Sequence, residues 1–438
     1  MSISGCQLEA SASVHSLMEL LRHRKTRRFG CGMEIPAGPL RYRSEQAPIP
    51  LHREELHYLL FAGVGETGPH LADMQYVSQA GRGDGQGMAI MNFQGRTAPS
   101  ACAANATKLF LSNDEGLYLV NRVPDIGSGC DPELVQLQAG RMEIPRSMPY
   151  MLSFNQWYAN RPGTAFLLPV TNVVSVYFNL LLVLLSEDYG YFIVDTDNGN
   201  NGCGLDQFRK SRGGHLHDDP AARRMVTLRE LDASIAETAI QEQGTICQNM
   251  YLMEQALGLG GGIHSVGSGR HLLGLEPGIF PGLGFHFMKS SRPNVRPNPV
   301  GIPNVWEAAC PPFVESFETS IQTLLQSKFG KKGIYANSQA QPWSEATVGI
   351  PSHDPRAVEA TIALCEYVFK TYGRFPAHTD AFKTVIAFQA HHVDVDFYEK
   401  FYPTGALPHA HRDHLQAWHG HETWTHTSAH LAMEGDTL

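Results

Sequence analysis

The segment "TLRELDASIAETAIQEQGTICQNMYLMEQALGLGGG", from Thr227 to Gly262, constrains this chain more than any other. Ile235, Ala239, Ile246, Asn249, Met250, Met253 and Leu257 recur at helical spacing, and a glycine stop begins at Gly258. One long helix must therefore run through the molecule with a mainly apolar face, on which Met250, Met253 and Leu257 read as core. A second apolar stretch, "VTNVVSVYFNLLLVLL" from Val170 to Leu185, is short for a membrane span and is broken by Asn172, Ser175 and Asn179. It reads as a helix buried in a large core or a subunit interface.

Shorter signals fill in the rest. Val14, Leu17, Met18 and Leu21 share one face of an early helix, and "LHREELHYLLFAGVG" predicts a second, amphipathic one. "TKLFLSND" and "GLYLV" read as two strands around an Asn-Asp-Glu-Gly turn. "FVESFETSIQTLLQSKFG" predicts a helix ending at Gly330. "DPRAVEATIALCEYVFKTYG" predicts another, with Asp and Pro at its mouth and Gly373 at its end. "SSRPNVRPNPVGIPN" is expected to be irregular, and the glycine run Gly81 to Gly87 a loop. Many helices with few strong parallel-strand runs predict an α+β fold. The texture changes after about residue 335, which suggests a main domain over 1–335 and a mainly helical, His-rich extension over 336–438.

With 438 residues, 42% of them hydrophobic, the chain can bury a large core. Its net charge of −9 and pI near 6.1 argue against nucleic acid or an acidic membrane as partner. Eight scattered cysteines without a CxxC pair read as reduced thiols of a cytoplasmic protein. Against the acidic background, "LLRHRKTRRFG" places Arg22, His23, Arg24, Lys25, Arg27 and Arg28 together. Such a run can simply cap a helix C-terminus. It also suits an anion, because guanidinium forks and an ammonium together match a phosphate.

Three motifs, in order, resemble the nitroreductase-like flavoprotein family, and most closely its branch of azoline (thiazole/oxazole-forming) peptide dehydrogenases. They are "RKTRRF", "GRTAPSACAANATKLFL" and "QNMYLMEQALGLGGG". The resemblance implies a sheet, antiparallel or mixed, flanked by helices, in a homodimer that holds FMN at its interface. Arg24, Lys25, Thr26 and Arg28 would then hold the phosphate and ribityl chain. Pro99, Ser100 and Ala101 would lie along the ring, with Gln248, Asn249, Gly258, Gly260 and Gly261 completing the site. Thr26 stands where the family has Ser, and Ala101 where it has Gly. The expected activity is two-electron hydride chemistry on a small-molecule, natural-product or peptide-derived substrate, with NAD(P)H as electron donor. The chain carries no Rossmann fingerprint, so a nicotinamide would visit the flavin only transiently.

The histidines suggest further roles. His215, His217 and His392 are candidate proton donors beside a flavin. His215, His217, Asp219, His391 and Asp394 form an alternative metal-ligand set, and with it a metalloenzyme on the same scaffold. A binding protein that has lost its cofactor is the remaining alternative. The tail "HAHRDHLQAWHGHETWTHTSAH" holds seven histidines and invites adventitious metal.

Overall fold

The hairpin around Asn113 to Gly116 starts the main sheet. In the computed structural model, strands β1 (Thr107–Ser112) and β2 (Gly116–Arg122) pair antiparallel, Phe110 opposite Leu119. The Asn113 side chain accepts from the Glu115 and Gly116 amides and closes the turn. The model describes residues 15–74, 89–186, 189–209, 223–336, 350, 352–402, 406–407, 411 and 413–414. The predicted glycine loop at 81–87, and His215, His217 and Asp219, lie outside the described residues.

The sheet continues through β3 (Glu133–Ala139), β4 (Ala165–Asn172), β5 (Gly260–Ser265), β6 (Phe382–Lys383) and β7 (Ile386–His391). Its order is β5-β7-β4-β1-β2-β3, with β6 also on β4, and every pair is antiparallel. Helices α1 (Leu17–His23), α2 (Arg53–Val64), α3 (Val173–Leu184), α4 (Leu228–Ala256), α5 (Phe317–Phe329), α6 (Pro355–Tyr372) and α7 (Val395–Phe401) accompany it. The fold is α+β.

Alternation along β1 and β4 divides the core. Leu109, Leu111 and Leu167 join Leu59, Leu60, Ile246, Met250 and Tyr251 on the face covered by α2 and the second half of α4. Phe110, Phe166, Leu168 and Val170 face the larger cluster built with α3, α6 and the first half of α4. Because α4 serves both clusters, it carries register from one face to the other. Its ends are firmly defined. Thr227 and Glu230 form a capping box, and Gly258, at φ 72°, allows Leu259 to donate to the Glu254 carbonyl at 2.9 Å.

Three expectations need correction. Val170 to Leu185 is not one helix: β4 runs to Asn172, whose side chain accepts from the Val174 amide at 3.0 Å and starts α3. The chain itself buries most of α3, so this helix needs no second subunit to cover it. The segment expected to be irregular contains a strand, Asn298–Ile302, between His286–Met288 and Trp306–Glu307. Pro299 fits there because the register shifts beside its partner Phe287. Nor is residue 336 onward an appended helical unit. Strand β7 sits inside the sheet between β5 and β4, and α6 packs on α3 and α5 in the main core. The sequence hid β7 because "IAFQAH" is short and one-third polar; Gln389 and His391 are buried by hydrogen bonding to one another and to neighbouring backbone.

Among the described residues no helix is long and apolar enough to cross a membrane. The described cysteines are free thiols.

Candidate functional site

Helix α1 ends at His23, and residues after it run beside β5, where the Gly261 amide donates to the Arg27 carbonyl at 2.8 Å. The six basic residues are thereby separated into two sets. Arg27 turns inward and is 1% exposed. Its guanidinium donates to the carbonyls of Ala406 at 2.9 Å and Lys25 at 3.3 Å, and to Gln255 Oε1 at 2.7 Å. Burial lowers its pKa and raises that of the fully buried Glu254 nearby, each partly offset by the charge of the other. Arg27 is a structural residue.

Arg24, Lys25 and Arg28 remain at the surface. Arg24 lies over the Tyr251 ring and donates to its hydroxyl at 3.0 Å, while the Thr26 hydroxyl also meets Tyr251 Oη. Arg28 lies over the ring of Tyr158. Among the described residues these three cations form no ion pair with a carboxylate. Arg24 is seated on Tyr251 near the end of α4, and Arg28 on Tyr158.

The predicted glycines serve the chain's own packing. A Cβ on Gly261, at φ 139°, would come within 1.9 Å of the Gln389 carbonyl oxygen, and one on Gly260 within 2.7 Å of the Arg27 carbonyl oxygen. These glycines let β5 lie between β7 and residues 26–28. The space beside them is filled by protein, so the expected close approach of a flat ligand at Gly260 and Gly261 is corrected. Gly258 terminates α4.

The Pro99–Ser100–Ala101 loop sits further back along the same helix. Asn249 Nδ2 donates to the Thr97 carbonyl at 2.9 Å, while Gln248 is exposed. The Ser100 hydroxyl donates to Glu242, a buried carboxylate that also accepts from the amides of Ala106 at 3.2 Å and Thr107 at 2.8 Å. Cys102, Ala103 and Asn105 all have positive φ, and the Glu242 bonds span this strained stretch. Glu242 escaped the sequence reading, although its i, i+4, i+7 spacing with Ile246 and Asn249 places it on the same helix face.

One cleft opens at this loop, and a second lies beside it with Val64 and Arg96 in common. The first, about 190 Å³, is lined by Pro99, Ser100, Asn105, Glu242, Ile246 and Arg96. The other, about 280 Å³, is lined by Arg96, Lys108, Glu66, Arg122 and neighbouring apolar residues. Burial lowers the pKa of Arg96 and Lys108, and Arg96 depresses Lys108 further.

The histidine expectations change. His392 is 2% exposed and stands 3.4 Å from Glu55, buried away from any incoming substrate, which corrects its role as proton donor. His391 and Asp394 do not form a metal pair. His391 bonds Gln389 at 3.2 Å, whereas Asp394 caps α7 through the Phe397 amide and accepts from Ser44. Among the described residues, the one metal-competent cluster joins His392 to Glu55 and His414 instead.

No protein-family model matches this chain, and no curated protein is similar to it. Among solved structures, the crystal structure of a candidate nitroreductase from Ralstonia eutropha JMP134 aligns with it at 19% identity. That alignment covers 57% of this chain and 70% of the other, with a TM-score of 0.25. The likeness is loose and assigns no residue a role.

Proposed function

We propose that this chain is an FMN-dependent oxidoreductase on a nitroreductase-like scaffold, acting as a homodimer that completes the flavin site at its seam. The observation that carries this reading is the exposed run of Arg24, Lys25 and Arg28, with Arg24 on Tyr251 and Arg28 on Tyr158 and no ion pair to a carboxylate among the described residues. Three surface cations left together repel one another, and a phosphate dianion relieves that repulsion through charge-assisted bonds. The adjoining face of α1 supports the seam: Leu17, Met18 and Leu21 are 59%, 57% and 46% exposed, an apolar stripe one turn from the cations. A second copy covering that stripe would form the seam of the dimer.

In this reading Arg24, Lys25 and Arg28 neutralise the phosphate, and the Thr26–Tyr251 pair fixes the chain beside it. The rigid Pro99–Ala101 loop, braced by Glu242, lines the approach to the ring. Bound FMN supplies two-electron hydride chemistry there. The substrate is a small-molecule, natural-product or peptide-derived compound, with NAD(P)H as electron donor, and the azoline-dehydrogenase resemblance favours a peptide-derived one.

The Arg24→Ala, Arg28→Ala double variant tests the phosphate site. Each charge-assisted bond contributes about 1.5–3 kcal/mol, so flavin affinity falls by roughly two orders of magnitude or more. Fluorescence titration with FMN measures this. Wild-type affinity in the variant, or wild-type protein that stays colourless after reconstitution, refutes the assignment.

A further inference from the structure

A cluster just past the C-terminal end of β7, on the side of residues 27–31, has no part in the flavin reading. Glu55 comes from the first turn of α2, His392 from the residue after β7, and His414 from the C-terminal segment. Their ligand atoms lie within 4.8 Å of one another, and all three side chains are buried. Three segments far apart in sequence thus converge on one point through two imidazoles and a carboxylate.

We infer that Glu55, His392 and His414 form a divalent transition-metal site, best matched to Zn²⁺, that fastens the C-terminal segment to α2 and the sheet. Both imidazoles present Nε2, a common zinc ligand atom, and the donor set is the His₂Glu combination. His392 Nε2 stands 3.4 Å from Glu55 Oε2. Two ligands of a tetrahedral ion with bonds of about 2.1 Å are separated by about 3.4 Å, so this edge is already at ligand spacing. His414 Nε2 meets Glu55 Oε1 directly, and rotation of the carboxylate opens that contact to the same spacing. Glu55 is also oriented from behind: its Oε2 accepts from the His52 amide at 2.5 Å within the capping box of α2. A ligand carboxylate held by an outer hydrogen bond is the usual arrangement around bound metal.

His411, three residues before His414 in the sequence, is also buried. The burial of the set points to a closed, structural ion rather than a catalytic one.

The test is metal content per chain in the full-length protein after dialysis against a chelator, followed by reconstitution with Zn²⁺ or Co²⁺. Wild type retains about one equivalent, while His414→Ala and Glu55→Gln each lower retention at least tenfold. The tail variant His419→Ala, His421→Ala keeps the full equivalent. Co²⁺-loaded wild type shows the intense visible bands of a four-coordinate ion, a readout independent of variant folding. Retention in both site variants together with loss in the tail variant identifies adventitious tail binding and overturns the proposal. So does wild type that binds neither metal, or Co²⁺ bands of an octahedral hydrated ion. Flavin binding by the Arg24 and Arg28 face is read separately and decides nothing here.

Discussion

Replacing Arg27 with methionine lowers the unfolding free energy by about 3–5 kcal/mol, whereas the same change at neighbouring Arg28 shifts it by less than about 0.5 kcal/mol. The contrast follows from burial. Arg27 satisfies two backbone carbonyls and the Gln255 side chain inside the protein. Methionine fills much of its volume but leaves all three acceptors without their donor, each at a desolvation cost of about 1–3 kcal/mol before relaxation. The change also deprives buried Glu254 of the nearest favourable charge, driving its already raised pKa further up. One of the lost bonds reaches Ala406, so the early basic run also anchors the late segment of the chain. Urea unfolding of the two variants at neutral pH measures the difference. Equal midpoints for Arg27→Met and Arg28→Met would show that Arg27 is merely another surface cation.

The separation of Arg27 from its neighbours marks where sequence reasoning stops. Charge pattern located the basic run, and local signals located α4, α5 and α6 with the glycines that end them and the Asp-Pro that opens α6. Asp354 and Gly373 bound α6 as their residue types dictate. Which of five adjacent cations goes inward depends on β5 lying alongside, and β5 lies there because of a strand more than a hundred residues later. That strand, β7, carries two buried polar side chains whose partners are supplied only by the folded sheet. Polar residues in a short run read as surface until those partners are known.

The same limit explains the histidines. Sequence proximity grouped His391, His392 and Asp394, but a strand end followed by a helix cap sends the three side chains to different neighbours. His392 finds Glu55, more than three hundred residues earlier, where a capping-box glutamate gave no sign of a second use. Glu242 was hidden for a related reason. Its role is to accept amides from a loop whose left-handed residues, Cys102, Ala103 and Asn105, have no glycine to announce them. Motif resemblance identified that loop; only the fold shows what holds its shape.

Between pH 7 and 8.5 the protein gains stability as pH rises, by roughly 1.5 kcal/mol more than its Lys328→Met variant does. Lys328, on α5, is fully buried, donates to Asn179 Oδ1 at 2.9 Å and lies 3.1 Å from His353 Nε2. Burial pushes its pKa down to about 7, with Cys102 opposing slightly, while burial and then Lys328 itself push His353 down to about 2. His353 is therefore neutral throughout this range and contributes no slope. The unfolded lysine holds its proton up to about pH 10.5, whereas the folded one releases it near 7. Over that interval the unfolded state binds more protons, and the folded state becomes relatively more stable with each step in pH. The gain is lost as pH falls towards 7, where the buried amine must charge. Above about pH 9 the opposite term enters, because buried Cys203, Cys247 and Cys310, pushed up to about 12, keep protons that the unfolded thiols release. The measurement therefore stops at pH 8.5 and compares chemical unfolding of the two proteins at matched ionic strength. Parallel stability profiles for wild type and Lys328→Met would mean that the amine stays charged in the core, held by Asn179 and the rings of Phe329 and Tyr335 at 5.7 and 5.9 Å.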